Sequence, residues 1–100
     1  MTTFRLTQLA LTDLRSIVRY TQTTWGREQR NRYLAKLDEC FHLLAEKPLR
    51  GVSCDDIRSG YRKYPVGRHV VFYREAQEGI KIIRVLHTSM DVESNLDDRI

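Results

Sequence analysis

The side chains in this sequence that could move a proton or grip a phosphate are His69, His87, the tyrosines and a set of arginines. Cutting a phosphodiester without a metal needs a general base, a general acid and cations, all converging within a few ångströms of one point. His69 and His87, with Tyr61, Tyr64 and Tyr73, are the candidate acid and base groups, and the arginines are the candidate clamps. Arg84 and His87 lie three residues apart, so in a regular strand they point to opposite faces; only a bulge or the strand's end would join them. His42 reads as a surface residue. The histidines lack ligand spacing and no pair of acids sits on a strand, so neither a metal nor any other cofactor is expected. The glycines stand singly and form no phosphate-cradling loop, and no serine sits in a nucleophile setting. Cys40 and Cys54 are too few for a disulfide framework, and Cys40 falls on the buried stripe of a helix as an inert packed thiol. Tyrosines and Phe72 interleaved with arginine are either core or a stacking platform for a single strand.

Charge narrows the partners. The chain carries +4 overall, but its last ten residues sum to −3, leaving +7 on residues 1–90. Between Ile57 and Arg74 stand Arg58, Arg62, Lys63, Arg68, His69 and Arg74 with no acid among them, a stretch suited to a polyanion or an acidic partner. Thirteen of the 17 cations are arginine, which favours bidentate contact with carboxylate or phosphate over diffuse attraction.

The elements that must position these groups follow from periodicity. One hundred residues with 41% apolar and 30% charged side chains make one domain spanning 1–100 with one core. No run approaches the roughly 20 apolar residues of a membrane span, and Arg5, Asp13 and Arg15 interrupt any export sequence, so the chain reads as cytoplasmic. Thr3 to Leu6 form a first strand, and Thr7 caps a helix with Ala10 or Leu11, Leu14, Ile17, Val18 and Thr21 on one side. Trp25-Gly26 breaks it. A second helix starts near Arg27, with Tyr33, Leu34, Leu37, Cys40, Phe41 and Leu44 on its stripe, and Pro48 stops it. Gly51 to Gly60 is irregular. Tyr61–Tyr64, Arg68–Arg74 and Ile80–His87 then read as strands joined by Tyr64–Gly67 and Glu75–Gly79. The expected fold is α+β: an N-terminal strand, an antiparallel helical hairpin, then a three-stranded antiparallel meander with the hairpin on one sheet face. The first strand is expected to join the sheet. Ile80–His87 is apolar on both parities, which places it centrally, between the hairpin and a second covered or functional surface. The second face is expected to stay partly open, with Arg62, Arg68, Arg74 and Arg84 making it a basic concave surface.

The order of motifs resembles the ParE toxins of the RelE/ParE superfamily, the toxin half of type II toxin-antitoxin modules. The helix start is matched by Thr7, Gln8, Ala10, Asp13 and Leu14, without the family's proline; Trp25, Gly26, Gln29 and Tyr33 match the next motif; Leu44, Pro48 and Gly51 match the helix end. The most specific runs are Asp56-Ile57-Arg58-Ser59-Gly60-Tyr61-Arg62, His69-Val70-Val71-Phe72-Tyr73-Arg74 and Ile82-Ile83-Arg84-Val85-Leu86-His87, followed by Met90-Asp91. The resemblance covers Phe4 to Leu96. It implies a non-catalytic toxin that poisons DNA gyrase, restrained by a ParD-like antitoxin in a toxin-antitoxin hetero-oligomer, with no membrane role and no sequence-specific nucleic-acid binding. The antitoxin is expected to meet Arg58, Arg62, Arg68 and Arg74, and the target to meet Arg84, His87 and Met90. The alternative is a RelE-like ribosome-dependent mRNA endoribonuclease, which the lack of a tyrosine after His87 and the opposed parities of Arg84 and His87 disfavour. Met90-Asp91 reads equally well as the cap of a short last helix.

Overall fold

A computed structural model describes residues 3–90 and Leu96. In chain order it contains β1 (Thr3–Leu6), α1 (Gln8–Trp25), α2 (Arg27–Glu46), a 3-10 turn (Pro48–Arg50), β2 (Val52–Ser53), β3 (Tyr61–Val66), β4 (His69–Ala76) and β5 (Gly79–His87). The five strands form one sheet in the order β1-β5-β4-β3-β2. β1 runs parallel to β5, from Thr3 opposite Gly79 to Leu6 opposite Ile82, and every other pair is antiparallel. The α+β architecture and the place of β1 in the sheet agree with the sequence reading.

Thr7 makes the join between the first strand and the first helix. Its Oγ1 accepts the Ala10 amide at 3.0 Å, capping α1, and donates to the Ile83 carbonyl at 2.7 Å, pinning that cap to β5. A single residue, Gly26, separates the two helices. Its φ of 94° and ψ of 170° lie where only glycine is comfortable, so the chain reverses in one step. The hairpin then lays Ala10, Ile17, Leu37, Cys40, Phe41 and Leu44 on Val71, Tyr73, Ile80, Ile82 and Val85. Burial drives the Cys40 thiol up to about 11, as befits a packed, neutral group. Tyr73, fully buried, satisfies its hydroxyl by donating to the Pro48 carbonyl at 2.7 Å and accepting the Gly51 amide at 2.8 Å, so it is core and no candidate acid.

The structure departs from the sequence reading in three places. Part of the segment read as irregular forms β2, two residues that pair with Arg62 and Lys63. The turns read as Tyr64–Gly67 and Glu75–Gly79 are each two residues, Gly67-Arg68 and Gln77-Glu78, because β3 runs on to Val66, β4 spans His69–Ala76 and β5 begins at Gly79. With Gly67 at φ 57° and no non-glycine residue at positive φ among the described residues, the Gly67-Arg68 turn has the type II′ form that matches strand twist. Pro65 is tolerated within β3 beyond the reach of β2, where no ladder partner asks for its missing N–H.

The third departure concerns the sheet's second face, expected to be partly open and basic. It holds a second apolar cluster instead: Cys54, Phe72, Ile83, Leu86 and Leu96, with Ile57, Tyr61 and Val70 packed around it. The alternate residues of β4 and β5 are apolar, so leaving them in water would forgo their burial, and the loop after β2 and Leu96 cover them instead. Two of the expected face's arginines serve backbone: Arg62 donates to the Gly51 carbonyl at 2.8 Å, and Arg74 to the Glu75 carbonyl at 3.2 Å. The bulge in the β4–β5 ladder leaves Ile83 as the extra residue. It lies before Arg84, so the register from Arg84 to His87 is regular and the two side chains take different partners. Asp91, which would begin the last helix, lies outside the described residues.

Candidate functional site

A groove of about 950 Å3 runs where the hairpin meets the β3–β4 turn and the end of β5. The second half of α1 gives it Ile17, Tyr20 and Trp25; α2 gives Tyr33 and Lys36; the turn gives Gly67 and Arg68. β4 and β5 contribute His69, Val85 and His87, and Met90 follows. Tyr20, Trp25 and Met90 are 54%, 59% and 41% exposed, an aromatic and thioether rim on water that a monomer gains nothing by keeping.

Tyr33 organises the turn beneath this rim. Its hydroxyl donates to the Val66 carbonyl at 3.0 Å, accepts the Arg68 amide at 3.3 Å and meets His69 Nδ1 at 2.6 Å. Gly67 lies so close that a Cβ there would stand 2.7 Å from the ring of Tyr33, so this turn demands glycine for contact as well as for φ. Arg68, fixed by its own amide, carries its guanidinium over Trp25 at 5.9 Å from the ring centroid.

His69 and His87 are directly opposite each other on β4 and β5, their rings edge to face at 5.3 Å. Burial, and then His87, hold His69 below its ordinary value, with Asp13 pulling the other way. The Ser89 amide donates to His87 Nδ1 at 3.1 Å, so neutral His87 carries its proton on Nε2. Asp13, which lines the groove from α1, is already committed. Its two oxygens accept from Arg84 Nε and Nη2, each at 2.8 Å, and Oδ2 also takes the Val85 amide at 2.9 Å. Both side chains of this pair are only 12% exposed. The groove therefore presents Lys36 and Arg68 with no uncompensated acid among its described lining residues.

Of the residues the sequence singled out, Arg68, His69, His87 and Met90 come together here, His69 and His87 having been named as candidate acid and base groups and Arg68 given a different partner from His87 and Met90. Arg58, Arg62, Arg74 and Arg84 do not. Arg58 Nη2 donates to the Leu96 carbonyl at 2.7 Å, and the nearby Asp55 Oδ1 takes the Gly60 amide at 2.7 Å. Arg84 faces Asp13 inside the molecule. Sequence reasoning missed Tyr20, Tyr33, Lys36 and Asp13 as groove residues. The spacing of Tyr20 and Trp25, off the buried stripe of α1, was the clue available for the rim. Among the described residues no three His, Cys, Asp or Glu side chains gather as a metal would require, and no helix is long and apolar enough to cross a membrane.

A helical hairpin on a mixed sheet, with an aromatic and cationic groove at one end, defines a small α+β protein. Residues 4–92 match the family described as ParE toxin of type II toxin-antitoxin system, parDE. Toxin ParE1 of Mycobacterium tuberculosis (strain ATCC 25618 / H37Rv) is 42% identical over 94 residues, covering 93% of this chain and 96% of its own length. Toxin ParE1 of Caulobacter vibrioides is 40% identical over 96 residues, covering 96% and 99%. A solved structure described as the chromosomal ParDE TA system from P. aeruginosa superposes with a TM-score of 0.73 over 87% of this chain and 96% of that one, at 19% identity, a likeness of fold alone. The chain belongs to the ParE toxin family of type II toxin-antitoxin systems.

Proposed function

We propose that this chain is a toxin that inhibits DNA gyrase by binding it, breaks no covalent bond itself, and is neutralised by a ParD-like antitoxin. The observation that carries this reading is the groove: an exposed aromatic rim, two cations and a carboxylate already neutralised are what an acidic amphipathic segment needs. The antitoxin's apolar side chains cover Tyr20, Trp25 and Met90, and its acids meet Lys36 and Arg68. Arg58, Arg62 and Arg74 add positive potential outside the groove and steer the approach. The target reads the same end of the molecule through His87 and Met90, with Arg84 acting through Asp13, so the antitoxin neutralises by occupying what the target must reach.

Non-catalytic action is supported by how the polar groups are used. Tyr33 and Asp13 are spent on backbone and side-chain partners, and Asp13 holds the Arg84 guanidinium through both its oxygens. A gyrase supercoiling assay run beside an in vitro translation reaction tests the reading. Loss of supercoiling with intact mRNA is expected; cleaved mRNA with normal supercoiling would replace it with the endoribonuclease. For the antitoxin interface, charge reversal of Arg68 is expected to weaken binding of the antitoxin roughly tenfold or more at low salt, with the deficit shrinking as salt rises. Unchanged affinity across the salt series would remove Arg68 from the interface.

A further inference from the structure

The histidine pair in the groove is set up asymmetrically. Tyr33 has one proton, and the network around it is fully satisfied when that proton serves the Val66 carbonyl and His69 donates Nδ1–H to the hydroxyl oxygen. His69 is then left with a bare Nε2. His87 is the reverse case: the Ser89 amide occupies Nδ1 and the proton sits on Nε2. One ring thus offers an acceptor and the other a donor, a combination that mismatches a carboxylate, which only accepts. Adding one proton to His69 Nε2 converts the pair into two N–H donors without breaking the bonds to Tyr33 or Ser89.

We infer that His69 and His87 form a carboxylate site that takes up one proton together with an acidic side chain of the segment lying in the groove. This rests on the docking reading above and deepens it by assigning the segment a carboxylate and the complex a dependence on pH. The charged and titratable groups lining the groove with the pair are Asp13 and Tyr20 from α1, Tyr33 and Lys36 from α2, and Arg68 from the turn, of which Tyr33 touches His69. Asp13, though paired with Arg84, still favours the charged form of His69, and burial and the neighbouring His87 ring oppose it. Burial and His87 hold His69 below its ordinary value, and a carboxylate beside it acts in the opposite direction. The proton comes from solvent and returns there when the segment leaves.

The test uses the whole chain and an amphipathic helical peptide of leucine and glutamate, with an oligodeoxynucleotide as the rival polyanion. NMR of the imidazole Cε1–H resonances and the peptide affinity are followed from about pH 8 to about pH 6. The expected result is that the peptide raises the titration midpoint of His69 and binds up to about tenfold tighter per unit fall in pH. His69→Gln is expected to flatten that slope, while His87→Gln weakens binding throughout and keeps it; backbone amide spectra check that both variants fold. A pH-independent affinity, or a slope surviving in His69→Gln, overturns the inference while leaving the gyrase assay to stand or fall by itself. So does a failure of the peptide to bind, or an oligodeoxynucleotide that moves the same resonances in its place.

Discussion

Asp13 and Arg84 show how a residue read as outward-reaching can be claimed by its own fold. The arginine occupies the strand end expected to meet a target, yet its guanidinium is held bidentate by a carboxylate 71 positions earlier in the chain. Nothing local to Arg84 announces such a partner, which is why the sequence could name the arginine but not its use. Arg84→Ala leaves the Asp13 carboxylate buried without its cation, so it is expected to cost about 3–5 kcal/mol in urea unfolding. Replacing both with well-packed apolar residues should recover most of it. Tyr33→Phe keeps the ring against Gly67 and deletes a hydroxyl with three partners, an expected loss of about 1–3 kcal/mol.

Among the elements, those with strong internal periodicity were legible and those decided by a distant partner were not. Both helices and the three long strands follow from apolar spacing, from Pro48 and from β-branched runs. β2 exists only because β3 lies beside it, and the Gly67-Arg68 turn is fixed by Tyr33 from α2; a local window sees neither cause. The bulge at Ile83 was equally hidden, since it depends on how β4 matches β5. The one-residue link between the helices makes its own prediction. Gly26→Ala forces a Cβ into backbone geometry that glycine alone tolerates, and about 1–3 kcal/mol should be lost with no change in the groove's lining. Thermal unfolding measures the first part, and antitoxin affinity the second.

Taken whole, the molecule is two apolar clusters sharing one sheet, where the sequence suggested a single core and an open face. Leu96 completes the second cluster, and Leu96→Ala should cost about 2–5 kcal/mol if its neighbours do not close around the gap. The dependence of stability on pH follows from His69. Its folded value is lowered, so as pH falls through about 6.5 the unfolded chain takes the proton first. That contribution is complete above this value and is lost progressively below it. Thermal unfolding followed from about pH 7.5 down to about pH 5.5 should show a decline that His69→Gln makes shallower.

The partnership of β1 with β5 sets the timetable of a toxin's birth. Thr3 has no ladder neighbour until Gly79 has been made, and at about 5–20 residues per second the first strand waits several seconds for it. Until β5 emerges from the ribosome, the helical hairpin has no sheet to pack on and the groove lacks the wall built from Val85 and His87. The groove is therefore among the last features of the molecule to exist, because one of its walls is made near the end of synthesis.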